Sequence, residues 1–389
     1  MTGKKQRAQD SGILKLNKTE IRYSFLKDRD NRWMQVVYTI VPEKPERIAN
    51  QIQTIENAEG SFYNIFQIGN QTAAAKRFFS SDLVTHSDEI DNYKKRQGTD
   101  FFLSVTEQPP ASGVKLSLLG MCLNNITSKL RDENIIRFDT TSGIRHIFAE
   151  HLIDSVADEH SDSQKQTERI FAYLQKKLSE FNATIQHNIL RTWIYAPHVD
   201  ADYPGIVKAR KDLFEKINLT KETHFIASTG IQGGTGNRFS RVSMDAYGVI
   251  GIAEDNIRYI HTPEHLCPTH IYGVTFERAT AVRLGKTDFL FISGTASIDK
   301  NGDIVYPGDV EKQTLRTLEN ISALLNSAGF NREDLSSLIV YLRDMADYGF
   351  TKPLIDQYLK NLPTVYVKAP VCRPAWLIEI EATAVKLVG

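Results

Sequence analysis

The chain has 389 residues, 41% of them hydrophobic, enough for two or three compact domains and too apolar for a mainly disordered protein. Its 47 basic and 47 acidic residues cancel, so no broad field favours nucleic acid or an anionic membrane, and a small-molecule substrate is the expected partner. Three cysteines, Cys122, Cys267 and Cys372, lack CxxC spacing and suit reduced thiols in a cytoplasm.

The first residues, Met1 to Asp10, are polar and lack the apolar core of a signal peptide. No window reaches the roughly 18 apolar residues of a membrane-spanning helix. Residues 1–18 are expected to be a flexible leader. Ile21–Leu26 and Trp33–Val41 read as β-runs, Gln71–Phe79 as helical, and Phe101–Val105 and Val114–Cys122 as strands on either side of the turn-rich Pro109–Gly113. Residues 19–134 are expected to form a degenerate α+β unit.

An internal repeat follows. His146–Asp154 falls on Phe291–Asp299, Lys165-Gln166-Thr167 on Lys312-Gln313-Thr314, and Tyr195 on Tyr341, an offset of about 146 residues. Each KQT opens a helix: Phe171, Leu174 and Leu178 recur at helical spacing in one copy, and Leu318, Ile321, Leu324 and Leu325 in the other. A strand comes next (Ile189–Tyr195, Ser337–Leu342), then a second helix (Tyr203–Lys216, Gly349–Leu362), then extended sequence (Phe225–Val249, Thr364–Val385). Units are therefore expected at 135–255 and 256–389, the acidic stretch Ser155–Ser163 being a loop. Each is an α+β sheet with helices on one face.

The last stretch, Pro370 to Ala382, carries chemistry. In a strand Leu377, Glu379 and Glu381 share one face and Ile378, Ile380 and Ala382 the other. A glutamate held among apolar neighbours resists ionisation and can serve as a general acid; equally, alternating Glu and Ile mark an edge strand with its charges in water. Arg373, fixed before Pro374, can hold a carboxylate in a bidentate contact. Cys372 is either a nucleophile or a small buried hydrophobe. Ser293, Gly294 and Thr295, within Phe291–Ser297, either let a ligand approach the backbone or form a bulge. Gly233–Gly236 lacks the flanks of a phosphate loop and reads as a hairpin connection, with Arg238 and Arg241 nearby. His261, His265 and His270 with Cys267 lack metal-ligand spacing, so no metal is expected.

Together FISGTASID, the KQT helix, RTWIY at Arg191–Tyr195, IYGVTFERAT at Ile271–Thr280 and VCRPAWLIEIEATAV resemble the chorismatases, within the Rid (YjgF-like) superfamily, over about residues 135–389. The resemblance implies tandem Rid-like units in a pseudo-trimer. It also implies cleavage of chorismate to pyruvate and a hydroxybenzoate, 3-hydroxybenzoate by the cysteine at 372, or a dihydroxycyclohexadiene carboxylate. In that reading Glu379 is the catalytic acid, Cys372 assists, and Arg373, Tyr272, Arg278, Ser293, Gly294, Thr295 and Glu381 bind substrate. No cofactor is required. The middle copy has His146–His151 where the last has FISGTAS, so one working cleft is expected, between the middle and C-terminal units, in a monomer or weak homo-oligomer. An imine or enamine hydrolase, or a noncatalytic binder of aromatic carboxylates, is the alternative.

Overall fold

The computed structural model describes residues 9–98 and 100–388, the side chain of Tyr272 excepted. The first unit runs β1 (Gln9–Leu16), β2 (Thr19–Lys27), β3 (Trp33–Pro42), α1 (Ile48–Phe66), β4 (Ala73–Ser80), α2 (Leu83–Gln97), β5 (Phe102–Glu107) and β6 (Leu116–Leu123). The second runs β7 (Ile126–Asp132), β8 (Ile135–Thr140), β9 (Arg145–Ile153), α3 (Ser163–Ser179), the short α4 (Ile185–Asn188), β10 (Ile189–Ala196), α5 (Val199–Lys216), β11 (Ala227–Gln232) and β12 (Ser243–Ile250). The third runs β13 (Ile257–Ile260), β14 (Ala279–Leu284), β15 (Thr287–Ala296), α6 (Val310–Ala328), β16 (Leu335–Leu342), α7 (Tyr348–Tyr358), β17 (Thr364–Lys368) and β18 (Ile378–Leu387).

The strand orders are β1-β2-β3-β6-β4-β5, β7-β8-β9-β12-β10-β11 and β13-β14-β15-β18-β16-β17. They are one topology written three times, so the fold is a tandem of Rid-like α+β units in which the first third is a full copy. In each, the final strand inserts into the middle of the sheet. β18 pairs antiparallel with both β15 and β16, while the parallel β16–β17 pair takes α7 as its crossover. β18 is thus a central strand and not the wet edge its alternation also permits.

Local chemistry explains the helices. Asp162 and Asp309 cap α3 and α6 by accepting from the amides of Lys165 and Lys312, caps worth about 1 kcal/mol each. The stripes Ile170, Phe171, Leu174, Leu178 and Leu318, Ile321, Leu324, Leu325 are buried against their sheets.

Three expectations are corrected. Residues 9–16 of the expected leader form β1, paired along its length with β2; residues 1–8 lie outside the described residues. The expected helix at Gln71–Phe79 is a short turn followed by β4, all eight of whose residues are buried. Packing overrides the helical bias of its alanines, and Lys76 and Arg77 are paired with Glu59 and Glu381. The expected boundary at 134/135 cuts the β7–β8 hairpin; the sheets change between Leu123 and Ile126, and again between Ile250 and Ile257.

The units close on one another through the loops that follow β5, β11 and β17. Gly234 and Glu107 exchange backbone hydrogen bonds at 2.9 and 3.1 Å, Ala111 N–H donates to Tyr366 O at 2.9 Å, and Gln232 N–H donates to Pro370 O at 3.1 Å. Second to first, first to third and third to second, these contacts close a ring, the pseudo-trimer. They also occupy the amide of Gly234, which serves assembly. Inside the ring, Phe102, Phe148, Tyr247 and Val282 pack together from all three units.

Candidate active site

The contact between Gln232 and Pro370 lays the segment before β18 across β11, and a cleft opens beside it. From the second unit it is lined by Tyr203, Arg210, Ser228 and Gly230; from the third, by Val274, Phe276, Arg278, Gly294, Ala296, Ile298, Cys372, Arg373, Trp376 and Glu379. Its cavity volume is about 30 Å³.

Glu379 pairs with Tyr341 and Ala296 across β18 and is 5% exposed. Among the described residues its carboxyl accepts no hydrogen bond. Burial, then the charge of Glu381, pushes its pKa up to about 8 against the pull of Arg191 and Arg278. The group is therefore mostly protonated at neutral pH. Gly294 makes room for it: a Cβ there would collide with the Glu379 carboxylate. Gly230 does the same for the ring of Tyr203, 2.7 Å from where a Cβ would stand. Tyr203 in turn hydrogen-bonds Cys372, whose thiol burial and the nearby Glu379 push up to about 12. Cys372 is neutral here.

Glu381 shares the strand face of Glu379 but reaches the axis where the units meet. It accepts from Arg77 of the first unit at 3.2 Å, from Arg191, Trp193 and Thr229 of the second at 2.8, 2.8 and 2.7 Å, and is 6% exposed. Burial pushes its pKa up, but Arg191 and Arg77, with the hydrogen bonds from Thr229 and Trp193, outweigh that and hold it below the usual range. Arg77 also donates to Tyr195 at 2.5 Å. One residue links axis and cleft: Thr229 Oγ1, besides binding Glu381, accepts the Gly294 N–H at 3.0 Å.

The cleft is cationic. Arg278 donates twice to the Cys267 carbonyl, at 2.7 and 3.2 Å, and Arg373 lies 5.5 Å from the Trp376 ring. Arg210 is 2% exposed and forms no ion pair among the described residues. It donates Nε–H to Thr275 at 3.1 Å and Nη1–H to Ser228 at 3.4 Å, while Nη2 is buried without a partner. A guanidinium so placed favours an anion beside it.

The structure thus brings Glu379, Cys372, Arg373, Arg278 and Gly294 to one cleft. Ser293 does not join them: its hydroxyl donates to Glu277 O at 2.5 Å and accepts Ser228 N–H at 2.9 Å, tying the two units together. Thr295 donates to Ser293 O at 2.9 Å and is fully buried. Glu381 faces the axis. Tyr272 ends a short turn, Thr269–Tyr272, and its side chain lies outside the described residues. Sequence reasoning missed Tyr203, Arg210 and the arginine pair Arg77 and Arg191. Arg210 left a trace, since it lies one turn from both Ile206 and Phe214 on the buried face of α5, where an arginine needs a reason. Among the described residues no group of His, Cys, Asp or Glu could hold a metal ion, and no helix is long and apolar enough to cross a membrane.

Comparison with known proteins places the third unit first. A family model described as Endoribonuclease L-PSP matches residues 277–386. A RutC family protein of Pyrococcus horikoshii is 40% identical over 109 residues, 27% of this chain and 84% of the relative. The chain belongs to the RutC family. Another RutC family relative, 3-aminoacrylate deaminase RutC of Acinetobacter baylyi, is 33% identical over 99 residues, 25% of this chain and 79% of the relative. The family model's match covers the strand that carries Glu379. Over most of the chain the fold is that of a chorismatase crystal structure, at TM-score 0.61 and 18% identity, covering 82% of this chain and 94% of that one.

Proposed function

We propose that the protein is a chorismatase-type enzyme that releases pyruvate from chorismate, leaving 3-hydroxybenzoate or a dihydroxycyclohexadiene carboxylate. The observation that carries this reading is a protonated, buried Glu379 in the same cleft as a buried Arg210 with an unpartnered Nη2. Chorismate is a dianion with an acid-labile enol ether. Its cleavage needs cationic anchors for two carboxylates and one proton donor at the ether.

In this reading Arg210, Arg278 and Arg373 hold the carboxylates, and Glu379 protonates the methylene carbon of the enolpyruvyl group. Water then captures the cation that develops at the enolpyruvyl carbon, and the bond between that carbon and the ether oxygen breaks, so that pyruvate leaves with the oxygen of the water and the ring keeps the ether oxygen as a hydroxyl. One water is consumed when the ring keeps both hydroxyls. None is consumed on balance when the ring aromatises and loses a water. Cys372, neutral and next to Glu379, serves to shape the path between these products. Gly294 supplies the space for Glu379, and Glu381 holds the two units in register. The three units close their own interfaces, so the protein is expected to act as a monomer or weak oligomer, which gel filtration tests.

A second reading has a specific observation behind it. The chain is similar over 99 residues to a 3-aminoacrylate deaminase, and the same acid and arginines suit hydrolysis of an imine or enamine acid. Incubating the intact protein separately with chorismate and with a freshly generated 2-iminopropanoate, and identifying products by mass spectrometry, separates the two. Pyruvate with a hydroxylated ring acid from chorismate supports the first reading; accelerated ammonia release from the imine with chorismate untouched replaces it with the second.

A further inference from the structure

The three units enclose a cavity on their common axis that the catalytic proposal does not use. Its volume is about 120 Å³, close to that of an engineered apolar cavity of about 150 Å³ that admits a benzene ring. Each unit contributes to the wall: Ala75 and Phe102 from the first, Phe148 and Tyr247 from the second, Phe291 and Ile339 from the third. Such a surface favours a flat aromatic guest.

The polar groups in the wall narrow the chemistry. The carboxylate at the floor is already engaged, because Glu381 is held by Arg77, Arg191 and Trp193. His146 stacks on Phe138 at 4.5 Å and pairs Nδ1 with the Tyr247 hydroxyl at 3.0 Å, and burial lowers its pKa to about 4, so it too is uncharged near neutral pH. A cationic guest would find no counter-ion, and both Nη groups of Arg77 already donate, to Glu381 and to Tyr195. Gln35, by contrast, is 3% exposed, lines the cavity, and has an amide oxygen without a hydrogen-bond partner. A buried acceptor of this kind favours a guest that donates one hydrogen bond. A smaller adjoining pocket shares Gln35, Leu123, His146 and Phe289 with the cavity and leads to Asn125 and Ser142 near the surface, which marks a route of entry.

We infer that the axial cavity is a second binding site, separate from the cleft of Glu379, for an uncharged single aromatic ring bearing a hydroxyl, the ring against the aromatic wall and the hydroxyl on Gln35. The inference stands whether or not the cleft acts on chorismate.

Two tryptophan indoles report the two sites independently, Trp193 in the cavity wall and Trp376 in the cleft. In ¹⁵N-labelled full-length protein, phenol should shift the Trp193 indole resonance to saturation. The shift should be lost in Ala75→Met, which fills the cavity, and phenol should bind at least tenfold more weakly to Gln35→Leu while benzene binds about equally to both proteins. A Trp193 resonance that phenol leaves unmoved, a shift that persists in folded Ala75→Met, or unchanged phenol affinity in folded Gln35→Leu overturns the inference. The wild-type titration decides occupancy even if neither variant folds.

Discussion

Gly294 lies in the irregularity of β15 between Ile292 and Thr295, and the carboxyl of Glu379 on β18 fills the space that a side chain at Gly294 would take. The buried acid therefore depends on a residue with no side chain. Gly294→Ala should force Glu379 from its site and lower turnover by about one to two orders of magnitude, as expected when a reacting group is displaced by about an ångström. Circular dichroism should show the fold intact. Unchanged turnover would mean that the position of Glu379 is immaterial.

The raised pKa of Glu379 carries a stability signature. Below the unfolded value of about 4.5 the group is protonated in both states. As pH rises toward about 8 the unfolded chain ionises while the folded one keeps its proton, so stability falls across that window and levels off above it. Glu379→Gln removes this dependence. It should melt higher than the wild type at pH 9, with the advantage shrinking by pH 5, in paired thermal scans.

Arg210 predicts an opposed pair of effects. A buried guanidinium without a counter-ion costs the fold free energy, so Arg210→Met should raise the melting temperature or leave it unchanged. The same change should weaken substrate capture, raising KM by about tenfold to a hundredfold, the loss of one charge-assisted contact. A variant with lower stability and normal KM would show that Arg210 is merely structural.

At the axis the signs reverse. Glu381 pairs with both Arg77 and Arg191, and Glu381→Gln leaves both buried cations short of their partner, at a cost of about 3–5 kcal/mol. Its charge also raises the pKa of Glu379, so in the folded variant the alkaline limb of the pH–rate profile should move to lower pH. A limb that stays in place would show that the two carboxylates do not communicate.

Cys372, its thiol pushed up to about 12, should resist iodoacetamide at pH 8, since the thiolate is the reactive form. Cys372→Ala should alter the ratio of ring products more than the total rate. Rapid alkylation with loss of all activity would restore it as a nucleophile.

Much of this was visible in the sequence where one residue's neighbours lie close along the chain. The KQT helices and the Tyr195 and Tyr341 strands follow from periodicity and from the repeat. Alternation left Glu379 open between a buried acid and a wet edge, and its role came from the resemblance to the chorismatases. What was hidden depends on contacts between units. Arg210 belongs to the site only because α5 of the second unit faces β18 of the third. Ser293 and Glu381 lay within convincing motifs, yet the structure spends both on joining units. β4 read as helix because its alanines are weighed locally, whereas burial along its whole length decides its state, and β1 read as leader because an edge strand needs little apolar sequence.

The central claim is that protonated Glu379 cleaves an enol ether held by arginines. The direct measurement is pyruvate release from chorismate by the intact protein and by Glu379→Gln, followed against pH. The account predicts turnover by the wild type that declines as pH rises through about 8, and a loss of about 10²- to 10⁴-fold in Glu379→Gln with chorismate still bound. No pyruvate from the wild type, or full release by Glu379→Gln, would contradict it.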